Sequence, residues 1–210
     1  MSTVLAQLLK SCNVTLQVFF LTLIFSLPLG FVVAAGRMSR FAVVRSLVNV
    51  YIMVMRGTPL ILQLLFVYFA PFYVFGFSFN RFTACIIAFV VNYSAYFGEI
   101  YRGGLQSLDI GQHEAAYALG LSKHTEFFSV KLPQVIRTVM PSVGNEVITL
   151  VKDTALAQTI GVAELFRAAQ NASSRMFSVM PIFMAGVFYF VMNAVVSKVM
   201  DILEKKMRRY

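Results

Sequence analysis

Long runs without a charged residue alternate with short basic segments along this chain. The uncharged runs cover residues 11–36, 57–80, 82–98 and 176–197. A helix needs about 20 mostly apolar residues to cross the hydrocarbon core of a bilayer. The four runs therefore predict four membrane-spanning helices rather than the buried core of a water-soluble domain.

The placement of Lys and Arg predicts how these spans are oriented. Basic residues cluster in segments 37–56, 123–131 and 198–209, whereas Lys10 and Arg81 stand alone between apolar runs. Because cytoplasmic loops collect Lys and Arg, the three clusters are expected inside and the N-terminus outside. A cytoplasmic C-terminus then requires a fifth crossing, which we place at 133–153, where charges interrupt the apolar pattern.

The sequence therefore predicts an all-α, polytopic membrane protein with a single transmembrane domain over residues 1–210. Segment 37–56 is expected to be a cytoplasmic loop, and the longest polar stretch, 103–132, a cytoplasmic loop between the third and fourth spans. The five predicted spans are 12–36, 57–80, 82–102, 133–153 and 176–200.

Composition agrees with this prediction. Only 13% of the residues are charged and 59% are hydrophobic, whereas soluble domains carry about 25% charge. The net charge of +9 would also suit nucleic acid, but its position beside the spans favours a membrane surface. The first run is too long for the apolar core of a signal peptide, so we treat it as a retained span. Cys12 and Cys85 are expected to be packing thiols rather than a disulfide.

Motifs for catalysis are missing from the sequence. No G-x-x-x-x-G-K-[ST] loop is present, so the chain has no site of this kind for ATP. The segment that starts at His113 and Glu114 resembles the zinc motif H-E-x-x-H, but Tyr117 replaces the second histidine. We therefore expect no metal, no cofactor and no catalytic site in this chain.

The central loop predicts two short helices. Residues 112–119 favour a helix by composition, and Gly120 suits a left-handed cap at its end. Ser122 can N-cap a second helix, which is expected to end by Pro133. The first helix has an apolar side of Ala115, Ala118 and Leu119 that nothing else in the sequence would cover. This side either rests on lipid headgroups or docks on a soluble partner.

The same loop resembles the EAA loop of ATP-binding cassette importer permeases. The family pattern E-A-A-x3-G-x9-I-x-L-P matches Glu114-Ala115-Ala116, Gly120 and Val130-Lys131-Leu132-Pro133, with Val130 in place of isoleucine. Segments 101–112, 56–63 and 144–165 resemble the polar amino acid uptake subfamily, although Ala155 replaces an expected serine. The resemblance extends from about Val14 to the C-terminus.

The resemblance implies a division of labour between subunits. The loop would be a coupling helix that docks on a separate P-loop ATPase dimer, which binds ATP and Mg and hydrolyses the ATP. An extracytoplasmic binding protein would deliver an amino acid, in a bacterial or archaeal cytoplasmic membrane. The residues that would couple the two subunits are Glu114, Ala115, Ala116, Gly120 and Leu121.

A polar stripe follows the fourth predicted span. At about 100° per residue, its members share a sector of about 120° opposite Val143, Val147, Leu150 and Val151. Ionisable groups inside a membrane face protein or water rather than lipid, so the stripe either pairs with neighbouring helices or lines a path for a charged solute. The stripe consists of Ser142, Asn145, Glu146, Thr149, Lys152 and Asp153.

Three further segments have two interpretations each. Asn92, Tyr96 and Glu99 form a candidate second wall of the path, although Glu99 could instead pair with Arg102. Arg56-Gly57-Thr58-Pro59 predicts a helix start, with Thr58 as N-cap and Pro59 at the first helical position. Gln63 is expected to join helices rather than touch substrate. Segment 155–171 is either a gate that dips into the membrane or a surface helix.

We therefore predict the membrane subunit of an ATP-driven importer of a polar or charged amino acid. Five helices are too few to surround a path, so a second copy or a close paralogue is expected to face this one. The alternative functions are a self-sufficient carrier or channel, which has no use for a docking loop, and a scaffold without transport.

Overall fold

The computed structural model describes residues 2–208, in which every regular element is helical. Two short segments of other helix types interrupt the α-helices: a π-helical turn, Glu126–Lys131, and a short 3-10 helix, Thr154–Ile160, called the 3-10 turn below. The α-helices are α1 (Ser2–Arg37), α2 (Ala42–Gly57), α3 (Leu60–Phe75), α4 (Arg81–Gln106), α5 (Gly111–Ala118), α6 (Lys123–Thr125), α7 (Leu132–Asp153), α8 (Leu165–Met176) and α9 (Met180–Arg208).

Three of the described helices are long and apolar enough to cross a membrane by themselves: α1, α4 and α9. Helices α2 and α3 qualify together as one broken span, bent by 112°. Helix α7 has the length, at 22 residues, but carries too many polar residues to meet the same criterion. The structure therefore supports a helical membrane domain, whereas the predicted count of five spans stays a prediction.

Segment 37–56, predicted as a loop, is mostly the helix α2. This helix is hard to recognise in the sequence because Arg45 and Arg56 interrupt an otherwise apolar run. The helix is amphipathic and buries Ile52, whereas Arg45 is exposed to the outside of the bundle. The helix was not predicted because the segment contains no long uncharged run.

Several predicted boundaries also move. Helix α1 starts at Ser2 rather than at residue 12. The span predicted at 57–80 is shorter, because α3 ends at Phe75 and Gly76 follows in the left-handed conformation. Helix α4 runs to Gln106, past the predicted end of the third span. Polar residues at helix ends mislead a search for apolar runs, since a helix can extend beyond the hydrocarbon core.

The chain continues as a helix through Pro133, where the sequence predicted a break. Leu132, directly before the proline, has α-helical backbone angles, and its N–H bonds to Phe127 O in a π-type turn. A proline inside a helix removes one hydrogen bond and crowds the preceding turn. The wider π turn lies at this point, so helix α6, the π turn and α7 form one continuous rod.

Helix α4 is the centre of the bundle and packs most extensively against α1. One side of α4 carries a column of aromatic rings at i, i+4 spacing, from Phe89 through Tyr93 and Phe97, with ring centroids 6.3 and 6.1 Å apart. Helices associate in lipid mainly by close packing. Gly30 lies against Phe97, which allows α1 and α4 to approach closely.

Gly104 provides a direct test of this packing. A Cβ at Gly104 would clash with Val139 Cγ1 on α7, whereas a Cβ at the adjacent Gly103 would meet nothing. Val139 is buried and β-branched, so it cannot rotate away freely. We expect Gly104→Ala to lower stability by about 1–3 kcal/mol and Gly103→Ala to be neutral or slightly stabilising. Thermal unfolding of the two purified variants in one detergent measures the difference; equal melting temperatures would contradict the described α4–α7 contact.

Candidate functional site

The polar face of α7 is left uncovered by the rest of the chain. Ser142, Asn145 and Lys152 are exposed, and Glu146, Thr149 and Asp153 are half-buried. The opposite side, Val143, Val147, Leu150 and Val151, is buried against the bundle. The apolar side of α7 therefore packs inward, as the helical period predicts, and half of the polar stripe is exposed.

Charged groups of both signs lie on or beside this face. Glu146 interacts electrostatically with Arg56 of α2 and with Asp153. Asp153 interacts with its neighbour Lys152 and accepts a hydrogen bond from the Tyr93 hydroxyl at 2.8 Å. The face thus offers carboxylates that can bind an ammonium group and cations that can bind a carboxylate.

Asn92, on the candidate second wall, joins three helices. Its side-chain nitrogen donates to Met55 O at 3.0 Å and to Gln63 Oε1 at 2.9 Å. Gln63 in turn donates to Met55 O at 3.0 Å, so these amides hold α2, α3 and α4 together at the bend. The prediction that Gln63 joins helices is confirmed.

The helix start predicted at Thr58 is wrong by one residue. Thr58 caps the end of α2 instead: its hydroxyl donates to Val54 O at 2.8 Å and accepts from Gln63 Nε2 at 2.8 Å. Pro59 is the N-cap of α3, and its first helical residue is Leu60. The sequence rule failed because α2, an unrecognised helix, ends at Gly57 and takes the threonine hydroxyl.

Tyr96 and Glu99, the other two residues of the candidate second wall, both lie close to arginine side chains. The Arg56 guanidinium lies over the Tyr96 ring, 5.3 Å from its centroid. Glu99 forms an ion pair with Arg102, as one of its two interpretations predicted, and it also interacts electrostatically with Arg56 and Arg37. Arg56, which the sequence assigned to a structural cap, therefore belongs to the charged region between α4 and α7.

The loop 103–132, which we call the coupling loop after its predicted role, lies at the N-terminal end of α7, opposite the end that carries Lys152 and Asp153. Glu114, Ala115 and Ala118 are exposed, and Leu119 is 76% exposed, so the uncovered apolar side predicted for α5 is confirmed. Ala116 is the exception, since it is buried at 3% exposure and faces the chain itself. Helix α5 thus exposes one side and packs the other against the rest of the chain.

Gly120 and Leu121 reverse the chain after α5. Gly120 has φ +67°, a left-handed conformation that glycine adopts without strain. The Leu121 N–H then bonds to Ala116 O at 3.0 Å, which satisfies a carbonyl at the helix end. The Ser122 hydroxyl accepts from the Thr125 N–H at 3.1 Å and caps α6 as predicted.

Side chains connect this loop to the α7 rod. Gln134 Nε2 donates to Gln112 Oε1 at 3.3 Å, from the first turn of α7 to the start of α5. Lys131 forms an ion pair with the buried Glu126 across the π turn. The coupling helix is therefore attached to the same element that carries the polar face.

The 3-10 turn that follows α7 packs against α1, α3 and α8 rather than lying free on the surface. The 3-10 turn ends at Gly161, which has φ +82°. Glu164, 0% exposed, caps α8 by accepting from the N–H groups of Phe166 and Arg167, and it accepts from the Tyr189 hydroxyl at 2.8 Å. Burial raises the pKa of Glu164, and these hydrogen bonds oppose that shift.

Sequence reasoning missed Tyr93, Glu164 and Tyr189. Tyr93 and Tyr189 carry no local signal, since each meets its carboxylate only through tertiary contact, 60 and 25 residues apart. Glu164 had a weak signal, because an acidic residue directly before a helix is a capping candidate. Both cysteines are free thiols, as predicted. Over residues 2–208, no group of three or more His, Cys, Asp or Glu side chains could hold a metal ion.

The fold, the uncovered polar face and the projecting loop together define a membrane-embedded transport component. Residues 26–209 match the profile described as "Binding-protein-dependent transport system inner membrane component". The chain belongs to this family.

Similar proteins with known names support this membership over almost the whole chain. The arginine transport system permease protein ArtQ of Bacillus subtilis is 33% identical over 96% of this chain and 92% of its own length. The L-cystine transport system permease protein TcyB of Bacillus subtilis is 37% identical, covering 93% and 84% respectively. A crystal structure of an amino acid ABC transporter with histidines superposes with a TM-score of 0.91, at 34% identity, covering 98% of this chain and 96% of that chain.

Proposed function

We propose that this chain is the permease subunit of an ATP-driven importer that moves a polar or charged amino acid into the cytoplasm. One observation carries the proposal: a single rod, α6 to α7, has an exposed docking helix attached at one end and an uncovered, charged face at the other. The names of the similar permeases, for arginine and for L-cystine, support an amino acid as the solute.

The charged face supports a zwitterionic solute. Glu146 and Asp153 would bind its ammonium group, and Asn145, Thr149 and Lys152 would donate to its carboxylate. Arg56, which interacts electrostatically with Glu146, would also bind the carboxylate of the solute. Ser142 and the wall residues Tyr96 and Glu99 would complete the path, with Asn92 behind them.

A second copy, or a close paralogue, would cover the polar face of α7. Exposed ionisable groups at membrane depth require protein or water opposite them. Two such faces opposed across a shared axis would enclose a path that one bundle leaves open.

The coupling loop would dock on a P-loop ATPase dimer that supplies ATP and Mg, so this chain itself would catalyse no reaction. Glu114 would face basic or polar groups of that subunit, and Ala115 would permit close approach. The loop and the C-terminus would lie in the cytoplasm and the N-terminus outside a bacterial or archaeal inner membrane. A separate binding protein would deliver the solute from outside.

Reconstitution tests this function. The chain is purified by tag from its native membrane, proteins that accompany it are identified, and the preparation is placed in vesicles with labelled amino acids. We expect a P-loop ATPase to co-purify and uptake to require ATP on the side of the coupling loop. Uptake by the chain alone, without ATP, would instead establish a self-sufficient carrier.

A further inference from the structure

A cavity of about 630 Å³ lies between the N-terminal part of α1 and helix α8, away from the polar face of α7 and from the coupling loop. Polar and basic side chains make up most of its lining. The lining residues are Gln7, Lys10, Ser11, Ala163, Arg167, Ala168, Asn171, Ser174 and Arg175.

The cavity is positively charged. Lys10, Arg167 and Arg175 line it, and no acidic residue does. Arg175 is held in place by donating to Gln7 Oε1 at 2.7 Å, and Arg167 by donating to Gln158 O at 3.1 Å. The buried carboxylate of Glu164, next to the lining residue Ala163, interacts electrostatically with Arg167. One negative charge therefore stands against three positive ones.

The cavity lies at the level where apolar helix gives way to polar residues. Lys10 directly precedes the uncharged run 11–36 of α1. Arg175 lies in the last turn of α8, a few residues before α9 begins at Met180. In a bilayer, this boundary is the layer of lipid headgroups.

Apolar residues close in sequence to the basic residues of the cavity are exposed. Leu9, beside Lys10, is 55% exposed. Phe177, two residues after Arg175, is 99% exposed and has φ +48°, a conformation that costs free energy for a residue other than glycine. Val179 is 79% exposed. A soluble anion would gain nothing from these side chains, whereas the acyl chains of a lipid would cover them.

We propose that this cavity binds the phosphate of an anionic phospholipid, whose acyl chains lie against Leu9, Phe177 and Val179. Guanidinium groups bind phosphate oxygens through paired, charge-assisted hydrogen bonds, and Asn171 and Ser174 offer additional donors. This site does not depend on the proposed transport function, since it requires only that the chain be embedded in a membrane.

Titration of the full-length, detergent-purified chain tests the proposal. The probes are short-chain phosphatidylglycerol, phosphatidylcholine with the same acyl chains, and inorganic phosphate. We expect phosphatidylglycerol to bind most tightly and its binding to weaken with added salt. Lys10→Gln/Arg175→Gln should reduce that affinity at least about tenfold, since each basic residue near a membrane surface contributes to anionic lipid binding.

Two controls keep the result specific. Lys205→Gln/Lys206→Gln removes the same charge from the other end of α9 and should leave the affinity unchanged. Lys10→Glu changes only one exposed side chain, so it serves as a second variant if the double variant does not fold. It too should weaken binding of phosphatidylglycerol.

Three results would overturn the proposal. Equal binding of phosphatidylcholine or of inorganic phosphate would show that the cavity does not select an anionic lipid. Unchanged affinity in both Lys10 variants would place the lipid elsewhere. Intact lipid binding together with loss of an accompanying protein in Lys10→Gln/Arg175→Gln would identify the cavity as a protein interface.

Discussion

Glu114→Lys is expected to abolish ATP-driven uptake while the chain still inserts and folds. Glu114 is exposed at the start of α5, beside the uncovered Ala115, so its replacement changes the surface offered to a partner and not the bundle. Reversing one charge at a desolvated contact costs about 2–5 kcal/mol. The affinity for the ATPase subunit should therefore fall by at least about thirtyfold, measured by retention of that subunit on the tagged chain.

A matched charge reversal controls this experiment. Asp201 is an exposed acidic residue on α9, and Asp201→Lys changes the net charge by the same amount outside the coupling loop. We expect Asp201→Lys to retain both the ATPase subunit and uptake. Normal uptake by Glu114→Lys would show that this loop does not couple the two subunits.

Glu146→Gln is expected to weaken substrate binding without releasing the ATPase subunit. The replacement preserves the size of a half-buried side chain on the uncovered face of α7 but removes its charge. A hydrogen bond to a charged group contributes about 1.5–3 kcal/mol, so the concentration for half-maximal uptake should rise by about 10- to 100-fold. Uptake at a series of amino acid concentrations in reconstituted vesicles measures this change.

Asp201→Asn is the matched neutralisation, because it removes one carboxylate away from the polar face. We expect it to leave the concentration dependence of uptake unaltered. If Glu146→Gln instead dissociates the complex at every substrate concentration, the polar face joins helices and does not contact the solute.

The coupling loop could be predicted in detail because its signals are local. Helix propensity, Gly120 and Ser122 each act within a few residues, and the structure confirms the cap at Ser122 and the left-handed Gly120. The continuation of the helix through Pro133 could not be foreseen. It depends on a π turn, in which each N–H bonds to the carbonyl five residues back, and side-chain identity does not reveal that pattern. Similarly, α2 was missed since its arginines resemble those of a loop.

The candidate site was predictable only along one helix. The 3.6-residue period correctly separates the buried valines of α7 from its polar side. Contacts between helices follow from tertiary packing, which no spacing rule describes. For this reason the sequence did not link Tyr93 to Asp153 or Arg56 to Glu146.

The unbroken course of the helix through Pro133 has a mechanical consequence. From Lys123 to Asp153 the chain forms a lever about 45 Å long that is helical throughout. Pivoting this lever by about 5° at the loop end would carry Asp153 through about 4 Å, beyond the reach of a hydrogen bond. A small displacement imposed on α5 can thus change polar contacts at the other end of α7, and no residue in between has to unfold.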